Sequence, residues 1–163
     1  MKFFLRPGRA LDAGRLGAVL TAGGIDKPWK PYLHSGAEDI AFVGRMIDRG
    51  WITVATRADT DEPLGFLALD DSYVHALFVA GSHRSRGVGG ALVAMAKARC
   101  DSLTLWTFQA NTGAQRFYLR EGFSESGRTD GRDNDERLPD VQFRWQKPVA
   151  PLTDLTATSA EKA

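Results

Sequence analysis

The chain has 163 residues and a mass of 17.8 kDa, which is the size of one domain with a sizeable core and too small for two ordinary ones. Its 43% hydrophobic and 25% charged residues argue against disorder, collagen and a membrane bundle, and its net charge of +1 lacks the broad basic field of a nucleic-acid-binding protein. The single Cys100 excludes an internal disulfide and a thiolate zinc site, which favours a reducing cytoplasm. No apolar run approaches the length of a signal peptide core or a membrane span, so no membrane partner is expected.

The first half of the chain predicts a strand, two helices and a three-stranded meander. A short strand over residues 3–6 precedes a helix over 12–20, with Leu11, Leu16, Val19 and Leu20 at helical spacing and Gly23 and Gly24 as its stop. Two prolines make residues 27–35 a loop with exposed aromatics. Ser35, with Glu38 three residues on, predicts the start of a second helix that Gly50 closes. Strands over residues 51–56, 64–69 and 73–79 follow as an antiparallel meander.

The second half predicts a β-α-β-α order and two further strands. A helix over 87–99, a strand over 103–108 and a helix over 111–120 are followed by a strand from residue 123 and a last one over 141–146. The last strand places Val141, Phe143 and Trp145 on one side. Residues 148–163 have too few large apolar groups to pack, which indicates a flexible tail behind one domain over residues 1–147.

The most informative segment runs from a strand through a basic turn into glycines that open a helix. Arg84 and Arg86 precede Gly87, Gly89 and Gly90, and the free amides of a helix N-terminus together with its dipole favour an anion. The dinucleotide fingerprint fails because Leu92 stands where its third glycine belongs, and the Gly-Lys-Ser/Thr of the mononucleotide loop never occurs. The segment therefore indicates an anion cradle of another kind.

Two motifs in the correct order resemble the GCN5-related N-acetyltransferases, the GNAT family. The family's acetyl-CoA motif of Arg or Gln, two residues, Gly, one residue, Gly or Ala is matched by residues 84–89, after a strand ending Leu77-Phe78-Val79. A second family motif is matched downstream by Asn111, Ala114, Phe117, Tyr118, Gly122 and Phe123. The matches cover residues 77–123, while the order of elements is similar to the family over about residues 1–147.

The resemblance implies an α/β (α+β) GNAT fold, in which helices flank a central, mostly antiparallel mixed sheet splayed at the acetyl-CoA site. It implies an enzyme that transfers an acetyl group from acetyl-CoA directly to a primary amine, with a small-molecule amine as the first choice. The open alternatives are a protein N-terminal or lysine acetyltransferase, an inactive acyl-CoA-binding regulatory domain, O-acetylation and transfer of a longer acyl group. A homodimer is left open. No metal is expected, because His34, His75 and His83 lack metal-ligand spacing.

The resemblance also assigns roles to residues. The diphosphate of CoA would lie on the amides of residues 86–90, and the pantetheine arm would pair with the backbone of Phe78 and Val79. The Val79 amide would hold the oxyanion, and Tyr118 would protonate the departing thiolate. Asn111 would anchor the cofactor side of its helix. The set assigned to cofactor binding is Phe78, Val79, Arg84, Arg86, Gly87, Val88, Gly89, Gly90 and Asn111.

The general base is less defined by sequence. His75 is a candidate because histidine is a common general base, and strand alternation puts it on one face with Tyr73 and Leu77. In parts of the family a strand histidine serves as the base, although a lone strand histidine is more often a spectator. Glu38, Asp39 and Asp70 are the other candidates, and His83 is expected to assist anion binding.

The acceptor side is expected at the loop over residues 27–34 and at the last strands. Trp29 and Tyr32 could stack on an acceptor or equally cover an edge of the core. The late loop mixes the acidic residues Asp130, Asp133, Asp135 and Glu136 with the arginines Arg128, Arg132 and Arg137, so self-pairing is favoured over attraction of a cationic amine. Pro139 and Asp140 lead into the final strand.

Overall fold

The computed structural model describes residues 1–84 and 86–149. It has seven strands and four α-helices, and two short 3₁₀ turns lie at Ala10–Asp12 and Gly81–His83. In chain order the elements are β1 (Phe3–Pro7), α1 (Ala13–Ile25), α2 (Gly36–Asp48), β2 (Ile52–Arg57), β3 (Pro63–Asp70), β4 (Tyr73–Val79), α3 (Val88–Arg99), β5 (Ser102–Phe108), α4 (Thr112–Arg120), β6 (Ser124–Thr129) and β7 (Asp140–Gln146). The predicted strands and their order are confirmed.

One sheet holds all these strands in the order β1-β2-β3-β4-β5-β7-β6. Every neighbouring pair is antiparallel except β4 and β5, which are parallel and share the single register pair Tyr73 and Thr104. Beyond that pair the two strands diverge, so the sheet consists of two antiparallel halves with a gap between them. The expectation of a mostly antiparallel mixed sheet that is splayed at one place is confirmed.

Two apolar cores lie on opposite faces of the sheet. On one face Leu16 of α1 and Val43 of α2 pack with Phe66 of β3, and all three are completely buried. On the other face Leu92 of α3 packs with Leu67, the next residue of β3. Each such side chain contributes about 1.5–3 kcal/mol on burial, so both helical layers hold the meander in place.

The first helix differs from its prediction at both ends. Leu11 lies in the 3₁₀ turn and is 96% exposed, so it does not belong to the apolar face. The helix also continues through Gly23 and Gly24 to Ile25. A Cβ on Gly23 would lie 3.0 Å from the Phe78 ring, so this glycine lets α1 pack closely on β4 and does not end the helix.

The second helix begins where the sequence predicts. The Ser35 hydroxyl accepts a hydrogen bond from the Glu38 amide at 3.1 Å, and the Glu38 carboxylate accepts one from the Ser35 amide at 3.3 Å. Gly50, at φ +74°, follows its C-terminus. The residues before Ser35 form the predicted loop.

The predicted flexible tail falls, apart from Pro148 and Val149, on residues outside the described ranges, so it and the domain limit at residue 147 stay predictions. Across the described ranges, none of the helices has the length and apolar character needed to cross a bilayer.

Candidate functional site

A cleft of about 240 Å³ occupies the gap between β4 and β5. Its walls come from both strands, from the end of α1 and the loop after it, and from α4. Among its lining residues are His75, Phe78, Asn111 and Tyr118, four of the residues that the sequence singled out. The divergence of the two strands therefore brings these four residues to one place, while the other residues predicted to bind the cofactor lie outside the cleft lining.

The backbone at the end of β4 has free polar groups facing this gap. The Ala80 amide donates to the Leu64 carbonyl of β3 at 2.8 Å. Since hydrogen-bonding groups alternate along an antiparallel strand, the backbone of Phe78 also faces β3, while the amides of Leu77 and Val79 face the gap. Backbone pairing with a ligand is thus open at Leu77 and Val79, and Phe78 lines the cleft with its side chain.

The N-terminus of α3 lies just beyond β4 and presents amides that have no partner within the helix. The first intrahelical bond runs from the Ala91 amide to the Gly87 carbonyl at 3.0 Å, so the amides of Val88, Gly89 and Gly90 precede it. Gly87 occupies the left-handed region at φ +85°, which other residues rarely adopt. A Cβ on Gly89 would lie 3.3 Å from the Phe117 ring, so glycine there allows α3 and α4 to approach.

The two arginines of the turn are placed differently. The Arg84 Nε donates to the Val79 carbonyl at 3.4 Å, and its Nη2 lies 3.6 Å from a carboxylate oxygen of Asp26. Arg86 is exposed beside the helix N-terminus. His83, the residue expected to assist anion binding, lies in the same turn, and within the described residues its buried Nδ1 has no hydrogen-bond partner. Arg84 therefore occupies the end of the backbone edge that a ligand would use.

Sequence reasoning missed Glu121, which lies beside the same helix N-terminus. Its Oε1 is 3.4 Å from the position that a Cβ on Gly90 would take. Its backbone carbonyl accepts a hydrogen bond from Lys97 of α3. The favourable position of a carboxylate near the positive end of a helix dipole explains this placement, but no local sequence signal links residue 121 to residue 90.

Tyr118 is buried in an aromatic cluster and reaches the cleft. Its side chain is 8% exposed, and the rings of Phe117, Phe123 and Phe143 lie 5.2–5.9 Å away between centroids. Burial raises the pKa of its hydroxyl well above the ordinary value. The phenol therefore stays protonated at neutral pH, the state required of a proton donor.

Asn111 caps the helix that presents Tyr118. Its side-chain oxygen accepts a hydrogen bond from the Ala114 amide at 3.1 Å, and it also lines the cleft. The side chain thus fixes the start of α4 beside the gap.

A β-bulge in β4 changes the surroundings of His75. Register pairs join Ala68 to Ala76 and Leu69 to Val74, so His75 is an additional residue that shifts the alternation. The prediction that Tyr73, His75 and Leu77 share one face is therefore wrong for Leu77, which packs into the core beneath α3.

The ring of His75 is held by three neighbours. It stacks on Trp51 at 4.5 Å with an angle of 3° between the planes, and it meets the Tyr73 ring edge-on at 4.7 Å. Its Nε2 lies 3.3 Å from a carboxylate oxygen of Asp70. An oriented imidazole with a carboxylate neighbour at the wall of a cleft is suited to proton transfer.

The other acidic candidates have structural partners. Glu38 belongs to the cap of α2, where hydrogen bonds from Ser35 and His34 lower its pKa. Asp39 accepts a hydrogen bond from the Thr21 hydroxyl at 2.6 Å. Asp70 contacts His75. These contacts favour His75, with Asp70 as its neighbour, over Glu38 and Asp39 as the base.

The loop after α1 forms one wall of the cleft. Trp29 meets the ring of Phe108 edge-on with centroids 5.7 Å apart, and the Lys30 ammonium lies 5.8 Å from the centroid of the same ring. Trp29 is half-buried and lines the cleft, so it both covers an edge of the core and faces the cleft, whereas Tyr32 is 58% exposed.

The late loop is partly self-paired, as expected. Arg132 lies 3.5 Å from Asp130, and the Asn134 side chain donates to the Leu138 carbonyl at 2.7 Å and to the Asp140 carboxylate at 3.3 Å. Over residues 1–84 and 86–149, no group of three or more His, Cys, Asp or Glu side chains could hold a metal ion.

Comparison with known proteins supports the same class of fold. The model of the acetyltransferase (GNAT) domain matches residues 47–125. Peptidyl-lysine N-acetyltransferase YjaB of Salmonella typhimurium strain LT2 is 35% identical over 89 residues, which are 55% of this chain and 59% of the relative. The YjaB protein of Escherichia coli K12 is 34% identical over 89 residues, which are 55% of this chain and 58% of the relative. The match thus spans less than two thirds of these curated relatives.

Solved structures extend the likeness in fold to most of the chain. The solution structure of apo YjaB from Escherichia coli superimposes with a TM-score of 0.71 at 24% identity, covering 91% of this chain and all of that one. The structure of yncA from Salmonella typhimurium with acetyl-CoA superimposes with a TM-score of 0.69 at 14% identity, covering 93% of this chain and 98% of that one. The splayed sheet is the fold that these two solved structures share with this chain. Residues 47–125 are thus similar to the acetyltransferase (GNAT) domain, and the solved structures share the fold over most of the chain.

Proposed function

We propose that this protein transfers an acetyl group from acetyl-CoA directly to a primary amine. The observation that carries the proposal is that the amides of Leu77 and Val79, which face the gap on β4, lie close to the amides of residues 88–90 at the start of α3, since a Cβ on Gly89 would lie 3.8 Å from the Val79 side chain. Such an arrangement matches a ligand with an amide-bearing arm joined to a diphosphate. A related fold has been solved with acetyl-CoA bound, which supports this choice of donor.

The cofactor would lie along the gap. Its diphosphate would accept hydrogen bonds from the amides of Val88, Gly89 and Gly90, with Arg86 near by. Its pantetheine arm would extend β4 by pairing with the backbone of Leu77 and with the Val79 carbonyl, which leaves the Val79 amide for the thioester. The Arg84 guanidinium would then release its hydrogen bond to the Val79 carbonyl and bind the diphosphate instead. Asn111 would keep α4 against the cofactor.

The chemistry requires one bond to form and one to break. The neutral amine attacks the thioester carbonyl carbon, and the Val79 amide stabilises the oxyanion of the tetrahedral intermediate. As the carbon–sulfur bond breaks, the Tyr118 hydroxyl donates its proton to the thiolate. His75, directly or through a water molecule, takes the proton that the amine must lose.

Direct transfer is favoured over an acetyl-cysteine intermediate. The thiol of Cys100 donates to the Asp71 carbonyl at 3.3 Å, and burial raises its pKa. Both effects favour the thiol over the reactive thiolate. The chain's only cysteine also fits a reducing compartment such as the cytoplasm.

A small-molecule amine is the first acceptor class proposed, and a lysine side chain is the second. The names of the two curated relatives, both peptidyl-lysine N-acetyltransferases, favour the second. Both acceptors present the same primary alkylamine to the cleft.

The test combines binding and turnover. Calorimetry should show binding of CoA and acetyl-CoA, and release of CoA thiol should depend on an amine when small amines and lysine peptides are supplied. Mass spectrometry should find the acetyl group on nitrogen. Absence of binding would overturn the proposal, and binding without turnover for any amine would favour the regulatory alternative. Light scattering on the same samples tests for the homodimer.

A further inference from the structure

We propose that a second cavity beside the cleft is a cation subsite, so that the acceptor carries a second positive charge some distance from the amine that is acetylated. This inference rests on the proposed function. The cavity has a volume of about 310 Å³ and shares Trp106, Thr107 and Phe108 with the cleft. The two cavities therefore adjoin along the end of β5.

The cavity contains two carboxylates contributed by the late loop and β7. Asp140 is fixed by hydrogen bonds from the hydroxyl of Thr129 and the side chain of Asn134. Burial, and to a lesser extent the Asp140 carboxylate, raises the pKa of Tyr73, which lines the same cavity. Glu136 is half-buried and, within the described ranges, forms no ion pair. The carboxylate of Glu136 is thus available to a ligand.

The remaining walls are aromatic and suit a cation. Trp106 is 39% exposed although it lies on a central strand, and Tyr73 and Phe108 complete the wall. The Phe108 ring already has the Lys30 ammonium 5.8 Å from its centroid, so this ring faces a cation in the structure. Aromatic faces and carboxylates around one cavity favour an ammonium or guanidinium over a neutral or anionic group.

The position of Tyr73 relates the subsite to the reaction. Its ring borders the cavity and lies 4.7 Å from the ring of His75, which lines the cleft. A flexible alkyl chain could therefore place one amine near His75 and a second cation near Glu136. Two sources have this chemistry, namely a diamine or polyamine, and a lysine peptide with a second basic side chain near the lysine.

The test compares acceptors that differ only in the second charge. A diaminoalkane and the monoamine of equal chain length are assayed with saturating acetyl-CoA, as are lysine peptides with and without a neighbouring arginine. We expect the dicationic acceptor to have a KM about tenfold lower than its monocationic counterpart, corresponding to about 1.4 kcal/mol. Whether the diamine or the arginine peptide shows this preference identifies the source.

Variants locate the effect. Glu136→Gln should remove most of the preference for the dication and leave the KM for acetyl-CoA unchanged. Asp135→Asn removes the same charge from the same loop outside the cavity, and should keep the preference. Equal KM values for the dication and the monocation, or equal effects of the two variants, would overturn the subsite.

A binding measurement separates this proposal from the proposed function. The diamine and the monoamine are titrated into the protein saturated with CoA, and calorimetry should show tighter binding of the diamine, weakened in Glu136→Gln only. If no amine is acetylated but this pattern appears, the subsite stands and the transferase proposal fails. If amines are acetylated and the pattern is absent, the transferase proposal stands and the subsite fails.

Discussion

At the scale of single residues, Tyr118 is the side chain whose hydroxyl has the clearest chemical consequence. Tyr118→Phe keeps the aromatic packing with Phe117, Phe123 and Phe143 and removes only the proposed proton donor. We expect kcat to fall by about 100-fold or more, while the affinity for acetyl-CoA changes little. Steady-state kinetics and calorimetry measure the two quantities. Unchanged turnover in this variant would remove Tyr118 from the mechanism.

For Glu121 we expect that removal of the side-chain charge improves binding of the cofactor. Its carboxylate lies beside the helix N-terminus that would bind the diphosphate, so it repels the incoming anion. Glu121→Gln should tighten CoA binding by about two- to fivefold, the effect of roughly 0.3–1 kcal/mol typical of a charge near a helix end. Calorimetry at low salt measures the change.

The control for this variant is Glu125→Gln. Glu125 is exposed on β6 and pairs with Arg128, so its loss alters net charge equally without touching α3. Equal tightening in both variants would indicate a general charge effect, and weaker binding in Glu121→Gln would contradict the argument.

At the scale of elements, Gly65 of β3 controls the position of the proposed oxyanion site. A Cβ at this position would lie 2.6 Å from the Phe78 carbonyl oxygen and 3.0 Å from the Val79 Cα, both of which are backbone atoms. Gly65→Ala must therefore push the end of β4 away. We expect a loss of about 1–3 kcal/mol in the free energy of unfolding, and a lower kcat because the Val79 amide moves.

Gly44 of α2 offers the matched substitution. A Cβ there meets nothing within 4 Å, so Gly44→Ala should stabilise the protein by about 0.5–1 kcal/mol with unchanged kcat. Denaturant unfolding and steady-state kinetics compare the two variants. A Gly65→Ala protein with normal stability and turnover would show that the end of β4 adapts without cost.

These elements also show how far sequence predicts this fold. Local sequence signals are sufficient to predict α2, whose N-terminal cap is formed by Ser35 and Glu38, and to predict the meander. They failed for Gly23, because its role depends on contact with Phe78 in β4, distant in sequence. The bulge at His75 cannot be predicted from local sequence for the same reason, because it depends on the register of β3 against β4.

The candidate site likewise contains positions that the sequence predicts and contacts that it does not predict. The motif positions around Gly87 and Tyr118 come from the sequence, and the structure brings the two motifs together, since a Cβ on Gly89 would lie 3.3 Å from the ring of Phe117. The neighbours of these positions, such as Glu121 at Gly90 and Arg84 at the Val79 carbonyl, depend on side-chain placement across the gap. No periodicity or spacing in the chain encodes such contacts.

At the scale of the whole molecule, the two halves of the sheet meet at one register pair, Tyr73 and Thr104. The cleft exists because β4 and β5 are joined only there in register, and the helices on both faces must keep the halves in place. Stability of the half that contains β1–β4 therefore bears directly on the shape of the site.

One charged network connects distant parts of that half. Arg6 of β1 makes two hydrogen bonds to the Asp12 carboxylate before α1, at 2.8 and 2.9 Å, and another at 3.1 Å to Asp61 in the turn between β2 and β3. The hydrogen-bonded Arg6 guanidinium is the main reason why the pKa of Asp12 is lowered, while burial acts in the opposite direction. A carboxyl whose pKa is lowered on folding stabilises the protein above its unfolded pKa, and this contribution is lost as the pH falls through the folded pKa.

The prediction is that Asp12→Asn lowers the free energy of unfolding at about pH 7 by about 1.5–3 kcal/mol, typical of hydrogen bonds to charged groups. The difference from wild type should shrink when the pH is lowered from about 5 toward 2, because the wild-type carboxyl then becomes protonated. Urea unfolding at several pH values measures both. Asp59→Asn removes a carboxylate from a surface pair with Arg57 and should change stability far less at every pH. A difference between Asp12→Asn and wild type that stays constant down to the lowest pH would show that the carboxyl acts through packing and not through its charge.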